Sequence, residues 1–171
     1  MAELATQLEQ GKSLNRMNAG PEAVEQAVEI LRSGGLVALP TETVYGLGAD
    51  ATSSEAVARI FALKGRPSFN PLIAHVADIV AAERIGVFDK YALTLARSFW
   101  PGPMTIVVPI RPDCPVCELA RAGLDTIGLR VPANATTLAI LEQLDRPVAA
   151  PSANSSGRLS LIMDRDITKV V

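Results

Sequence analysis

Residues 40–76 read PTETVYGLGADATSSEAVARIFALKGRPSFNPLIAHV, and this stretch decides the fold. It is entered from a short continuous apolar run, Leu36-Val37-Ala38-Leu39, of the kind expected for a buried strand. The strand runs into the turn Thr41-Glu42-Thr43. Ser53 or Ser54 then caps a helix that buries Val57, Ile60 and Phe61 and stops at Gly65. A Lys64-Gly65-Arg66-Pro67 exit leads to a further apolar run, Leu72 to Val76, which carries His75, the only histidine. Hydroxyls, two cations, an amide and an imidazole are thereby gathered at the ends of elements, where open α/β sheets bind ligands. The grouping points to a pocket for an anionic ligand, a nucleotide phosphate above all.

Outward from this stretch the same alternation continues. Pro21 stands at a first helical position, and Val24, Ala27, Val28 and Leu31 keep helical spacing up to Gly34-Gly35. Asp89 to Trp100 reads as a helix with Leu95 and Phe99 on its inner face, ended by Pro101-Gly102-Pro103. Met104–Val108 and Ile127–Val131 are β-branched runs typical of strands. Asn134 caps a helix through Leu138, Leu141 and Leu144, and Val148-Ala149-Ala150 is a short strand entering PSANSSG at 151–157. Strands alternating with helices predict an α/β domain around a mixed sheet. Residues 1–19 are polar and irregular and read as an extension, with the domain occupying 20–171.

Composition narrows the function classes. At 171 residues, 49% hydrophobic and 20% charged, with mean hydropathy +0.26, the chain is expected to form one packed domain. A net charge of −2 and a pI near 5.4 argue against a general nucleic-acid binder, which carries a basic excess. No apolar run approaches the ~20 residues of a bilayer span. The first 20 residues lack a basic stretch followed by an apolar one, so a cytoplasmic location is the default expectation. Cys114 and Cys117 form a CxxC within a proline-bearing loop. A zinc site needs two further ligands, and the strand-then-helix setting of a redox pair is missing, which leaves two reduced loop thiols.

Each candidate residue has an ordinary reading beside the functional one. Lys64 and Arg66 fit a helix C-terminus, where cations favour the macrodipole and glycine supplies the stop. They equally fit phosphate recognition, Arg as a fork and Lys as a point charge, with Asn70 adding a hydrogen bond. Ser152 and Asn154 are common turn residues, or a hydroxyl and an amide against phosphate or ribose. Arg130 interrupts the apolar run Ile127–Val131 and needs a partner, either a substrate carboxylate or an internal Asp or Glu. His75 fits a satisfied core histidine or a ligand contact, and the hydroxyls of Thr41 and Thr43 reach the same region. Neither GxxxxGK[ST] nor GxGxxG occurs, and no Ser/His/Asp or Cys/His set or metal cluster is legible. Cations, hydroxyls and amides suit phosphoryl or nucleotidyl transfer, in which the protein positions reactants and neutralises developing charge.

PTETVYGLGADA, the KxR at 64–66 with NPLIAHV behind it, WPGPMT, AGLDTIGLRVPAN and APSANSSG occur in this order. Together they closely resemble the YrdC-like family of threonylcarbamoyl-AMP synthases, over about residues 20–160. The resemblance implies a twisted mixed sheet flanked by helices, with an open concave ligand cleft. It implies synthesis of threonylcarbamoyl-AMP from L-threonine, bicarbonate and ATP with pyrophosphate release, Mg²⁺ accompanying ATP, for threonylcarbamoyladenosine in tRNA. Direct contact with tRNA or double-stranded RNA, and partner proteins of tRNA modification, are further implied candidates. An RNA- or nucleotide-binding module without full synthase activity is the alternative. Carried over by motif, Thr43, His75, Arg130 and the backbone of Ala150 resemble the L-threonine site. Arg66, Asn70, Thr126, Ser152 and Ser160 resemble the ATP site, and Lys64 and Asn154 complete the KxR and SxN signatures, with Lys64 and Arg66 in the catalytic role. The pattern departs from the family's from about residue 161, where Leu161-Ile162 follow Ser160 in place of a Ser-Pro-Thr step.

Overall fold

The computed structural model describes residues 15–153 and 167–170. Among these, strands β1 (Asn15–Met17), β2 (Leu36–Leu39), β3 (Gly46–Asp50), β4 (Ala74–His75), β5 (Ile106–Pro109), β6 (Thr126–Arg130), β7 (Val148–Ala149) and β8 (Ile167–Val170) form one sheet, ordered β1-β8-β2-β3-β7-β4-β6-β5. Helices α1 (Pro21–Arg32), α2 (Ser54–Lys64), α3 (Ile79–Glu83), α4 (Lys90–Phe99), α5 (Glu118–Arg121) and α6 (Ala135–Leu144) pack on it. Only β4 and β6 run parallel; the remaining pairs are antiparallel. The mixed α/β sheet expected from the sequence is present. Asn15–Met17, which the sequence placed in the leading extension, form its edge strand against β8.

Two hydrophobic layers lie on opposite faces of the sheet. Side chains alternate along a strand, so Leu47, Ala49, Ala74, Ile127, Leu129 and Ala149 point into a layer shared with Val57, Ile60 and Phe61 of α2 and with Trp100. On the other face Val37, Leu39, Val148 and Ala150 meet Ala27, Val28 and Leu31 of α1 and Ile140, Leu141 and Leu144 of α6. This second layer ends at β7. Beyond it, the same face of β4, β6 and β5 carries Ile73, His75, Arg130, Gly128 and Val107, and Ile73 and Val107 are exposed. Among the described residues no helix packs on this half-face, which forms the floor of the candidate cleft.

Several local expectations are corrected. Leu95 and Phe99 do not face inward: they are 42% and 51% exposed, and Ala96 is the buried residue of α4. The packed face of the helix runs through Ala92, Leu93 and Ala96, and Leu95 and Phe99 fall at its solvent-facing margin. The Leu72–Val76 run narrows to Ala74–His75 as paired strand, because Leu72 N–H instead reaches the Ala120 carbonyl (2.8 Å). The strand expected at Met104–Val108 begins at Ile106, since the Met104 carbonyl is taken by Trp100 Nε1 (2.7 Å). Strand β3 was not anticipated. Its sequence GLGAD contains no β-branched residue, yet all five residues are buried between the two layers.

Asp89 starts α4 through Oδ1, which accepts from the backbone N–H of Tyr91 (2.9 Å) and Ala92 (2.8 Å). Replacing it with alanine is expected to cost about 1 kcal/mol. A urea melt should show a lower midpoint with an unchanged slope.

Candidate active-site cleft

The cleft is walled by the loop that follows β2. Thr41 Oγ1 accepts from the backbone N–H groups of Thr43 and Val44, both at 3.2 Å. This hydroxyl-centred turn holds Glu42 and Thr43 over β6. The base of the loop is tied to α6, where Thr137 Oγ1 donates to the Pro40 carbonyl. Tyr45, at the other end, is buried, and its carbonyl accepts from Ala153 N–H (2.7 Å).

Arg130 ends β6 beneath this loop. Its Nη2 donates to Glu42 Oε1 (2.5 Å) and to Thr43 Oγ1 (3.3 Å), and its Nε donates to the Gly102 carbonyl (3.2 Å). The internal carboxylate left open by the sequence is therefore Glu42, whose other oxygen accepts from Ala133 N–H (3.1 Å). The side chains of the pair are 10% and 21% exposed. Burial acts to raise the Glu42 carboxyl, but hydrogen bonds from Arg130 and from the backbone at Glu42 and Ala133 outweigh it and hold the pKa below the ordinary value. Glu42 was not among the sequence-derived candidates. The one available signal was an acidic residue between two threonines, after a strand, in a chain with an arginine in an apolar strand.

His75 is in register with Arg130 across the parallel pair β4–β6, so both side chains share the cleft face. It is buried, and its Nδ1 is a buried polar atom with no hydrogen-bond partner. Burial first, and the Arg130 charge second, lower its pKa to about 4. The imidazole is therefore neutral at pH 7, with an unfilled polar atom beside a guanidinium. A group whose folded pKa lies below its unfolded value of about 6.5 takes up its proton first in the unfolded chain. Stability is then expected to fall with acidification between about pH 6.5 and 4, the lower bound being the folded-state value. His75→Asn should flatten that segment of a stability-versus-pH curve measured by denaturant unfolding.

The other end of the cleft is built by the exit from α2. Gly65 adopts the left-handed conformation (φ 58°) and its N–H returns to the Ala62 and Phe61 carbonyls, so glycine ends the helix as the sequence indicated. Lys64 does not lie along the helix end in solvent. It is 6% exposed, and Nζ donates to the Ser152 carbonyl, joining α2 to the segment after β7. Burial, then the neighbouring Arg66 charge, lowers its pKa to about 8. Arg66 is half-buried: Nη2 donates to the Pro71 carbonyl (3.3 Å), and its Nε is the second buried polar atom with no hydrogen-bond partner. Asn70 closes the turn by donating its N–H to Pro67 (3.2 Å).

The structure thus brings Thr43, His75 and Arg130 together at one end, and Lys64, Arg66 and Ser152 at the other. The Ala150 N–H donates to Ile73 between them (3.2 Å). Thr126 stands exposed at the start of β6, on the face of Arg130. Asn154 and Ser160 lie outside the described residues. Cys114 and Cys117 are free thiols, both half-buried. Among the described residues no three His, Cys, Asp or Glu are grouped as a metal site, and no helix is long and apolar enough to cross a membrane.

The family model Sua5/YciO/YrdC, described as "Telomere recombination", matches residues 29–171. The chain belongs to this family. Its described residues adopt the fold of a solved Pyrococcus abyssi structure, "Sua5 complexed with L-threonine", at a TM-score of 0.77 and 47% identity, over 80% of this chain and 40% of that one. A Bacillus subtilis protein named threonylcarbamoyl-AMP synthase is 44% identical over 85% of this chain and 42% of its own length. A shorter protein of that name from Halorhodospira halophila is 39% identical, over 81% of this chain and 72% of its own. The chain spans about two fifths of the length of the longer relatives. The YrdC-like resemblance and the mixed open sheet are both borne out.

Proposed function

We propose that this cleft is the two-substrate site of a threonylcarbamoyl-AMP synthase, condensing L-threonine, bicarbonate and ATP and releasing pyrophosphate. The observation that carries the proposal is the pairing of two unlike ends. One end offers a buried guanidinium, a threonine hydroxyl and a neutral imidazole with an unfilled Nδ1. The other offers an ammonium and a guanidinium at a helix exit beside Ser152. The first suits an amino acid with a carboxylate and a hydroxyl; the second suits a triphosphate. The Pyrococcus abyssi relative crystallised with L-threonine supports the first assignment.

In this reading Arg130 holds the carboxylate of threonine, with Thr43, His75 and the Ala150 backbone fixing its side chain and orientation. Arg66, Asn70, Thr126, Ser152, Asn154 and Ser160 hold the nucleotide. Threonine amine and bicarbonate form the carbamate with loss of water. A carbamate oxygen attacks the α-phosphorus, the bond from that phosphorus to the bridging oxygen breaks, and pyrophosphate leaves with the electron pair. The carbamate is already an anion, so no strong general base is required. The barrier lies in bringing two anions together and in the charge of the leaving group, which Lys64 and Arg66 would offset. The donor set at that end fits phosphate oxygens and not a divalent cation, so Mg²⁺ would arrive on ATP, where it supplies further charge neutralisation.

Incubation of the protein with ATP, Mg²⁺, bicarbonate and threonine is expected to release pyrophosphate in a threonine-dependent manner. Release equal to that of a Lys64→Ala/Arg66→Ala control would overturn the proposal.

A further inference from the structure

The two ends of the cleft are joined along β6, and what lies between them is a residue without a side chain. Thr126, Gly128 and Arg130 alternate onto one face, while Ile127 and Leu129 point into the core. At about 3.3–3.4 Å of rise per residue, Thr126 and Arg130 stand roughly 13 Å apart along the strand, with Gly128 midway. Its cross-strand partner Val107 is 67% exposed, so among the described residues no element covers this part of the face. A Cβ built at Gly128 would lie 3.2 Å from Thr105 Cγ2 and 3.7 Å from Ile73 Cγ1. The two side chains therefore flank a lane floored by bare backbone. The φ of Gly128 is not in the left-handed region, so its backbone conformation does not require glycine. Within a strand interior glycine costs conformational entropy and leaves nothing to pack. The close approach of Thr105 is one reason for glycine here, and the space left open on the exposed side is a second.

We propose that Gly128 is a position kept free of a side chain for the reaction: its missing side chain provides the lane in which the bond between amino-acid carbamate and nucleotide α-phosphate forms. This rests on the two-substrate reading above. A carboxylate held at Arg130 and a nucleotide held near Thr126 place the joining atoms over the midpoint of the strand. A side chain at 128 would leave each binding end intact and separate the reacting groups. Displacement of reactants by about 1 Å can cost about 100-fold in rate, so the effect belongs to joint occupancy and turnover and not to either ligand alone.

The test is Gly128→Val, with Gly128→Val/Thr105→Ser as the variant that removes the methyl group the new Cβ would meet. Threonine is titrated calorimetrically into ATP-free protein and into protein saturated with ATP and Mg²⁺, and pyrophosphate release is measured in parallel. The expected result is threonine binding to the ATP-free variants as in wild type, binding at least about tenfold weaker once ATP is present, and pyrophosphate release lower by about 100-fold. If wild type releases no pyrophosphate, the functional reading fails, and the Gly128 inference is then decided by the ATP-dependent binding difference. Variants that bind both ligands jointly and turn over like wild type would overturn it. So would wild-type protein that never binds the two together, or variants that lose threonine binding in the absence of ATP while keeping the wild-type thermal midpoint.

Discussion

Replacing Arg130 with methionine is expected to lower the unfolding free energy by about 1–3 kcal/mol and to abolish threonine binding. The size follows from what the change leaves behind. Glu42 would keep its carboxylate, 21% exposed, without the guanidinium that holds it ionised, and the Gly102 carbonyl would lose its donor. Removing one member of a buried pair exposes the desolvation cost of the other, whereas replacing both with apolar groups is often close to neutral. Arg130→Met/Glu42→Leu should therefore recover most of the lost stability in a denaturant melt. It should not recover threonine binding, because no cation remains for the carboxylate. A double variant as unstable as Arg130→Met would contradict this account of the pair. Restored threonine binding would contradict the role given to Arg130.

The second large effect is expected at Lys64. The residue is 6% exposed and its ammonium donates to the Ser152 carbonyl, so it is oriented before any ligand arrives. Charge placed in advance where a leaving group develops its own is worth about 10²- to 10³-fold in rate. Lys64→Ala should lower threonine-dependent pyrophosphate release by about that factor. With a pKa of about 8, the ammonium loses its proton as pH rises through that value. Affinity for ATP should accordingly weaken above about pH 8 in wild type, while Lys64→Arg, charged throughout, should show no such decline. A flat wild-type profile would remove Lys64 from phosphate recognition.

The sequence makes the architecture legible where local chemistry and tertiary role agree. Ser53 caps α2 through Ala56 N–H (3.2 Å), Asn134 caps α6 through Thr136 and Thr137 N–H, and Pro21 opens α1. Strand β3 is not legible, because GLGAD owes its extended form to burial on both faces and not to β propensity. The inward face of α4 is misread for a related reason: Leu95 and Phe99 have the right spacing, but close packing favours Ala92 and Ala96. Single residues of the site follow the same division. Arg130 is conspicuous because a cation in an apolar strand requires a partner. Glu42 is not, because an acidic residue in a turn is ordinary until the fold brings it across 88 positions to Arg130. Lys64 reads equally well as a helix-end cation, and only its contact with Ser152 separates the two meanings.

In the function proposed above, one cleft binds an amino acid at its Arg130 end. Calorimetric titration of L-threonine into the full chain tests it most directly, with Arg130→Met/Glu42→Leu as the comparison. The expected result is saturable binding of one threonine per chain by wild type, and its loss in a double variant whose thermal midpoint stays close to that of wild type. Absence of saturable heat with wild type, or the same isotherm from both proteins, would contradict it.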